Sequence, residues 1–472
     1  MDKNINLKNK IIYPFIGLIF PVAFLAPLAM WLLLVLPAII FFCIDKHRLE
    51  YFRGYYKEEV FFLIFIIVTS FSLFWTNNLK SGTEAVISLL VLFFSFIILR
   101  KNIKNFYKNR ILKILTYSFL FTTVFCFFDM YFYLGINPWL SLLFDLLIEN
   151  KTDTYQPYFI FLDDYGKGKL SATYSRCLSI ITIFSFIIGL IHLKSKKILL
   201  SIFLLTLITL LAGENLTSLF AFILGCSALI SFKLLGKKLF IPISVIIVLY
   251  SLTAPLTLNN FKPDDWTNKN FILVSKIASL EDKLKDNSYN KLQELYLQST
   301  ILLHKIEKKY SNRFLIWSFS SEKVLKNFFT GYGVYSSKKI GELEKVELSV
   351  VRDNATEHRF IISSIPLHPH NNTIQIWLEL GIIGIICFYF SLFYAWHKLI
   401  FKSNASNSHY TFISSSILSL FLINQSSYGL WQAWWIASII LLIIFSLLII
   451  SDNYAFREIT NIPETIKEAP NQ

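Results

Sequence analysis

The sequence predicts an all-α polytopic membrane protein with about 12 transmembrane helices and one large, partly helical loop. Three observations predict it. The 472 residues are 54% hydrophobic and 17% aromatic, with a mean hydropathy of +0.54, more apolar surface than a soluble chain can hide. The apolar residues come in blocks near the roughly 20 needed to cross a hydrocarbon core. The basic residues fall in alternate connections, as they do where lysine and arginine are retained on one side of a membrane.

The apolar blocks lie near 11–26, 28–43, 59–75, 82–99, 111–134 and 171–193, then 198–212, 215–233, 239–256, 380–397, 409–424 and 433–450. Residues 11–43 barely suffice for two spans, and Pro27 marks the turn between them. The blocks at 59–75, 198–212 and 409–424 are short. The opening MDKNINLKNK is basic, but the apolar stretch after it is longer than a signal-peptide core and lacks a small-x-small site. It reads as a retained first span.

The connections carrying the positive charge hold Lys3, Lys8 and Lys10, then Lys46, Arg48, Arg53 and Lys57, then Arg100, Lys101, Lys104, Lys108 and Arg110. Lys194, Lys196 and Lys197 continue the series, followed by Lys233, Lys237 and Lys238, then Lys398 and Lys402. Between them, 76–81 has only Lys80 and 424–432 has no basic residue. This places both termini in the cytoplasm and calls for an even number of spans. The net charge of +14 is then a topology signal, and no nucleic-acid partner is expected. The chain divides into helices 1–9 over 1–256, a loop domain over 257–369, and helices 10–12 with a tail over 370–472.

The long loop is too large for a mere connector. Within it, Leu292, Leu295, Leu302 and Ile306 share a helical stripe with Ser299. A second helix is expected after Ser311, whose hydroxyl can cap it. The five cysteines, Cys43, Cys126, Cys177, Cys226 and Cys387, lie in or beside apolar blocks, which argues against a disulfide framework and a CxxC metal site. The acid pairs Asp163–Asp164, Asp264–Asp265 and Glu281–Asp282 read as solvated loop charges. No metal or other cofactor is expected.

The chemistry concentrates in LHPHNNTIQIWLELGIIG, residues 367–384. Pro369 makes the chain arrive extended, and Asn371 is a good N-cap for the apolar helix that follows. His370 then sits at the mouth of a membrane helix, beside the positive end of its dipole, which disfavours the imidazolium. A neutral imidazole is what a general base requires. A lone histidine could equally just cap the helix; the grouping with His368 and Asn371 favours a site. Gln375 and Glu379 follow Asn371 at i+4 and i+8 and share its face. Glu379 is either a functional ionisable group within the span or a carboxylate paired inside the bundle. Gly381 and Gly384 allow another helix to come close.

Two arginines are placed to join His370 at the same membrane face. Arg313 falls in the first turn of the helix after Ser311, where an anion would offset its conflict with the dipole; a solvated surface arginine is the alternative. Arg176, in SATYSRCLSI (171–180), opens a span at that face, where it could also snorkel. Trp317 reads as a packing residue. Two arginines and one histidine suit a diphosphate leaving group and a hydroxyl acceptor.

These residues resemble the O-antigen ligase family. His370 and Asn371, then nine residues, Gly381, two residues and Gly384, resemble its signature. RFLIW (313–317), GYGV (331–334) and TYSR (173–176) are similar to its large loop and an arginine-bearing segment. Where many members carry an arginine near the start of the span 215–233, this chain has Asn215, and Ile385 stands where a small or polar residue is usual. The resemblance implies a C-type glycosyltransferase fold in the bacterial inner membrane with a periplasmic loop and site. It implies a glycan donor on undecaprenyl diphosphate, a lipid A–core acceptor, and metal-independent inversion. His370 would be the base, with Arg313 and Arg176 on the diphosphate and His368, Asn371, Gln375, Glu379 and Asn215 binding substrate. An O-antigen polymerase and a protein O-oligosaccharyltransferase are alternatives with the same donor. A transporter is the alternative of another class, though no internal repeat supports it.

Overall fold

The computed structural model describes residues 3–46, 48–132, 172–213, 215–260, 279–280, 300, 313–352, 356–402 and 406–451. The three acid pairs, the stripe over 291–309 and the cap at Ser311 lie outside the described residues, so those expectations carry no structural account.

Helices fill the windows that hydropathy marks. They are α1 (Lys3–Gly17), α2 (Ile19–Leu25), α3 (Met30–Ile44), α4 (Lys57–Phe71), α5 (Leu79–Asn102) and α6 (Lys108–Tyr131). Then come α7 (Ala172–Ile191), α8 (Lys196–Ala212), α9 (Leu216–Leu235) and α10 (Phe240–Asn259). The loop contributes α11 (313–326) and α12 (Ser337–Leu343). The chain closes with α13 (Asn372–His397), α14 (Asn407–Asn424) and α15 (Ala433–Ile450).

The protein is a multi-pass, helical membrane protein. Among the described residues, eight helical stretches are long and apolar enough to cross a bilayer; one of them, Leu216–Asn259, holds both α9 and α10. Helices α4, α8 and α14 fall outside that set; they occupy the three blocks already short in the sequence. Pro27 does mark the first turn: Ala26 leaves helical geometry and Pro27–Ala29 forms a single 3₁₀ turn before α3, with proline at the position where its missing N–H costs nothing.

One element was not expected. Strands β1 (Lys345–Arg352) and β2 (Thr356–Ser363) form an antiparallel hairpin with Lys345 opposite Ser363. The alternation in KVELSVVR is a strand signal, masked by the charged residues around it.

Among the described residues, besides a small core of Ala254, Leu258, Trp317 and Ile374, the bundle has two large apolar cores. One joins α1–α3, α6–α8 and α15 through residues such as Phe20, Phe119, Phe184 and Phe445. The other joins α4, α5 and α13 to the loop: Val324, Val334, Ile340 and Ile365 pack with Phe65, Trp377 and Trp431. This part of the loop is therefore built into the bundle.

The end of the bundle away from His370 is held by ion pairs. Lys8 Nζ lies 2.6 Å from Asp45 Oδ2 and 2.8 Å from Asn102 Oδ1. Arg100 bridges Glu59 and Glu58, and Lys398 reaches both Glu58 oxygens at 2.9 Å. Three of the cations that mark topology in the sequence thus also tie helices together.

Candidate functional site

Helix α13 starts where the sequence places it. Asn371 caps it, with Oδ1 accepting from Ile374 N at 3.0 Å, while its Nδ2 donates to Tyr250 Oη at 2.9 Å. The capping residue therefore also ties α13 to α10. Just before it, His370 adopts φ +56°, a left-handed conformation that histidine tolerates better than most residues.

That twist lays the two histidines together, with ring centroids 4.3 Å apart. His368 Nδ1 accepts from the His370 main-chain N–H at 3.1 Å. His370 Nδ1 lies 2.6 Å from the main-chain oxygen of Ser427. A carbonyl only accepts, so Nδ1 of His370 carries the proton and Nε2 holds the free lone pair. Both rings are kept neutral. Burial pushes His368 down to about 3, helped by the His370 ring and the Arg313 charge. Burial also lowers His370, with Arg313 adding to the effect and the Ser427 carbonyl opposing it.

Arg313 lies in the helical stretch 313–326, α11. The helix is held against the histidine motif by Trp317, whose Nε1–H donates to Pro369 O at 2.8 Å. Trp317 is a packing residue, but one that fixes the chain two residues ahead of Asn371. Arg176 opens α7 and lies 5.8 Å from the Trp434 ring. Asn215 caps α9 through Ser218 N at 3.2 Å and donates to Ser175 O at 3.1 Å. It thereby ties α9 to the residue beside Arg176.

The connection between α14 and α15 joins these pieces, and the sequence reading passed over it. Tyr428 Oη donates to Ser175 O at 2.8 Å and meets Ser179 Oγ at 2.9 Å. Burial pushes its phenol up to about 12, although the charges of Arg176 and Arg313 both act to lower it. Tyr428 thus lies within the fields of both arginines. Ser427 supplies the carbonyl to His370. A Cβ on Gly429 would come within 2.9 Å of the His368 ring. The available signal was composition: QSSYGLWQ (425–432) is polar and aromatic, without charge, where a plain membrane turn would suffice.

Gln375 and Glu379 do share a face, and Gln375 Nε2 donates to Glu379 Oε1 at 3.2 Å. Both are buried, Glu379 completely. Gln375 Oε1 accepts from Leu430 N at 2.9 Å. Glu379 also accepts from the Tyr335 N–H at 2.6 Å, the Ser337 hydroxyl and the Trp431 indole N–H. Of the two readings left open for Glu379, the geometry matches a group satisfied inside the protein, by neutral donors.

The expectation that another helix approaches Gly381 is corrected. Gly381 has φ +63° and breaks α13. The break frees the carbonyls of Leu378 and Glu379, which accept from Tyr332 N at 2.9 Å and Gly333 N at 2.8 Å, while Ile382 N donates to Phe328 O at 3.0 Å. The neighbour is therefore the turn over 328–333, whose main-chain groups replace the missing helical hydrogen bonds. A Cβ at Gly381 would lie 2.3 Å from Phe329 O, and one at Gly331 would lie 2.5 Å from the Glu379 carbonyl carbon. Gly384 is likewise required by α13 itself: a Cβ there would lie 2.3 Å from Leu380 Cβ. Among the described residues no cluster of three His, Cys, Asp or Glu side chains could hold a metal ion.

Comparison with known proteins covers part of this site. The family model for O-antigen ligase matches residues 182–389, which include Asn215, Arg313, both histidines and Gly381. A Rickettsia conorii protein named "Putative polysaccharide ligase" is 29% identical over 276 residues, covering 58% of this chain and 56% of its own. Proteins of that name from Rickettsia felis (29% over 282 residues; 59% and 58%) and Rickettsia typhi (33% over 227 residues; 46% and 54%) also match. The matched stretch thus spans just over half the length of these relatives. No solved structure matches the chain significantly. The chain's similarity to the O-antigen ligase family thus lies in residues 182–389, and the relatives it matches over just over half their length are named as polysaccharide ligases.

Proposed function

We propose that this chain is an O-antigen ligase. It transfers a glycan from undecaprenyl diphosphate to lipid A–core at the periplasmic face of the bacterial inner membrane, with inversion and without a metal. The observation that carries this reading is the state of His370: Nδ1 is committed to Ser427 O and a basic Nε2 remains at the mouth of a membrane helix.

The step follows from that nitrogen. His370 Nε2 takes the proton of an acceptor hydroxyl as its oxygen bonds to the anomeric carbon of the donor glycan. The bond from that carbon to the diphosphate oxygen breaks, and its electron pair leaves with the diphosphate. Arg313 and Arg176 offset the charge gathering there. The products are the conjugate, undecaprenyl diphosphate and a protonated His370, which returns its proton to water. A positioned base contributes about 10²–10⁴-fold. Asn371, Asn215 and Gln375 hold the elements bearing these groups, and His368 borders the acceptor side. The basic ends of the spans support cytoplasmic termini and a periplasmic site.

The test is a bacterium whose own ligase is deleted. This chain should restore a lipopolysaccharide ladder on a gel, and His370→Ala and Arg313→Ala should abolish it at equal protein level. Purified protein that elongates the lipid-linked glycan but makes no lipid A–core conjugate would instead establish a polymerase.

A further inference from the structure

Beside the histidine pair lies a cleft lined by none of the groups that act in the transfer step. It encloses about 370 Å³ and is lined by Asn77, Asn78 and Ser81 on one wall and Tyr335, Lys338 and Lys339 on the other, with Glu342 and Leu367 at its edge. A smaller cavity of about 30 Å³, enough for water, shares Tyr335, Lys338 and Leu367 with it and reaches His368 and Glu379. The two cavities thus share walls, and the smaller one borders His368, the ring packed on His370.

Its walls are fixed. Val334 N donates to Ser72 Oγ at 3.0 Å and Thr76 Oγ1 donates to Val334 O at 2.7 Å, so the turn before α5 is clamped to 331–335. The other side of that segment is held by the Gly381 break and by Glu379. A rigid cleft of this size falls within the roughly 300–1,000 Å³ range of ligand sites.

The lining indicates the ligand. Two amides, a serine hydroxyl and a tyrosine ring suit a sugar. Lys338 and Lys339 share one carboxylate, Glu342, at 3.8 and 3.6 Å, so one positive charge remains for an anionic group. The residues that would face the donor diphosphate, Arg176, Arg313 and Tyr428, do not line this cleft.

Resting on the ligase reading above, we propose that the cleft between Asn77–Ser81 and Tyr335–Glu342 is the acceptor subsite, binding the anionic core oligosaccharide whose hydroxyl His370 deprotonates. The test uses full-length protein in detergent and two readouts. The first is direct binding of fluorescent lipid A–core, which needs no turnover. Wild type should bind it, and the Lys338→Ala/Lys339→Ala double variant and the cleft-filling Ser81→Tyr variant should each weaken binding about tenfold or more. Core stripped of its phosphates should bind wild type as weakly as native core binds the lysine variant. The second readout is transfer: the acceptor KM should rise, with the donor KM and kcat within about threefold of wild type. Wild-type binding left unchanged by both variants, or a rise in donor KM in place of acceptor KM, overturns the subsite. If native core binds through this cleft but no conjugate forms, the ligase reading fails while the binding site stands.

Discussion

His370 Nδ1 lies 2.6 Å from the main-chain oxygen of Ser427, 57 residues along the chain. The contact orients the ring and selects its tautomer, a role usually filled by a carboxylate or carbonyl beside a working histidine. It also makes an otherwise unremarkable turn between two helices part of the site.

His370→Asn separates chemistry from backbone strain. Asparagine tolerates the left-handed conformation at φ +56° but cannot act as a base. The variant should unfold at the wild-type temperature and lose about 10²–10⁴-fold in transfer rate. His370→Val should also lose stability, because a β-branched residue resists this conformation. Detergent-solubilised thermal unfolding beside single-turnover transfer would check both; wild-type rate in His370→Asn would remove the base from the mechanism.

The pH profile tests the same ring. Its folded pKa is held below 6.5 by burial first and by Arg313 second, so the neutral form prevails at pH 7. The midpoint of the acid limb of the rate should lie below pH 6.5. Arg313→Gln removes a positive charge that lowers the pKa, so the limb should move to higher pH as well as the rate falling. Stability has the same sign. The unfolded chain takes up protons near 6.5, before the folded rings do, so the melting temperature should decline as pH falls from 6.5 towards the value of about 3 at His368. An acid limb above 6.5 in wild type would contradict the buried, neutral site.

Much of this was legible in the sequence for simple reasons. Span positions follow from apolar blocks and charge alternation, which are local. The Asn371 cap and the Gln375–Glu379 pair follow from helical spacing, also local. What stayed hidden depends on contacts distant in sequence. Ser427 acts through its carbonyl, which every residue has, so no side-chain pattern could mark it. Tyr428 is one of 23 tyrosines, distinguished only by lying near two arginines from α7 and α11. Gly381 looked like a helix-packing glycine because its positive φ cannot be read from its name. The hairpin of β1 and β2 was hidden by charged residues around its alternating core.

Gly331→Ala and Gly381→Ala test the docking of the loop on α13. Each glycine has a positive φ, and an added Cβ would meet backbone at 2.5 and 2.3 Å. Strain of this kind costs about 1–3 kcal/mol, and the backbone clash adds to it. Both variants should melt earlier and become more open to proteolysis near 328–337. Gly54→Ala is the control: it too has positive φ, but nothing lies within 4 Å of its added Cβ, so it should carry the strain alone. Equal losses at all three positions would show that close approach at the break contributes nothing.

Glu379→Gln tests how the 335–337 segment is anchored. The wild-type carboxylate is pure acceptor: Oε1 takes the Ser337 hydroxyl and the Gln375 amide, and Oε2 takes the Tyr335 N–H and the Trp431 indole. An amide turns one of those oxygens into a donor. On the Oε2 side it would face two N–H groups that cannot reverse. On the Oε1 side the Ser337 hydroxyl can rotate to accept, but the Gln375 amide loses its partner. The variant should therefore settle with its nitrogen towards Ser337, at a cost of about 1–3 kcal/mol for the unsatisfied buried group. Glu379→Leu leaves all four donors without their acceptor and should be worse. Because Tyr335 lines both the cleft and the small cavity at His368, Glu379→Gln should weaken acceptor binding more than donor binding. Thermal unfolding with both KM values decides it: a wild-type melting temperature and unchanged acceptor KM would mean that this carboxylate does not set the geometry around the histidines.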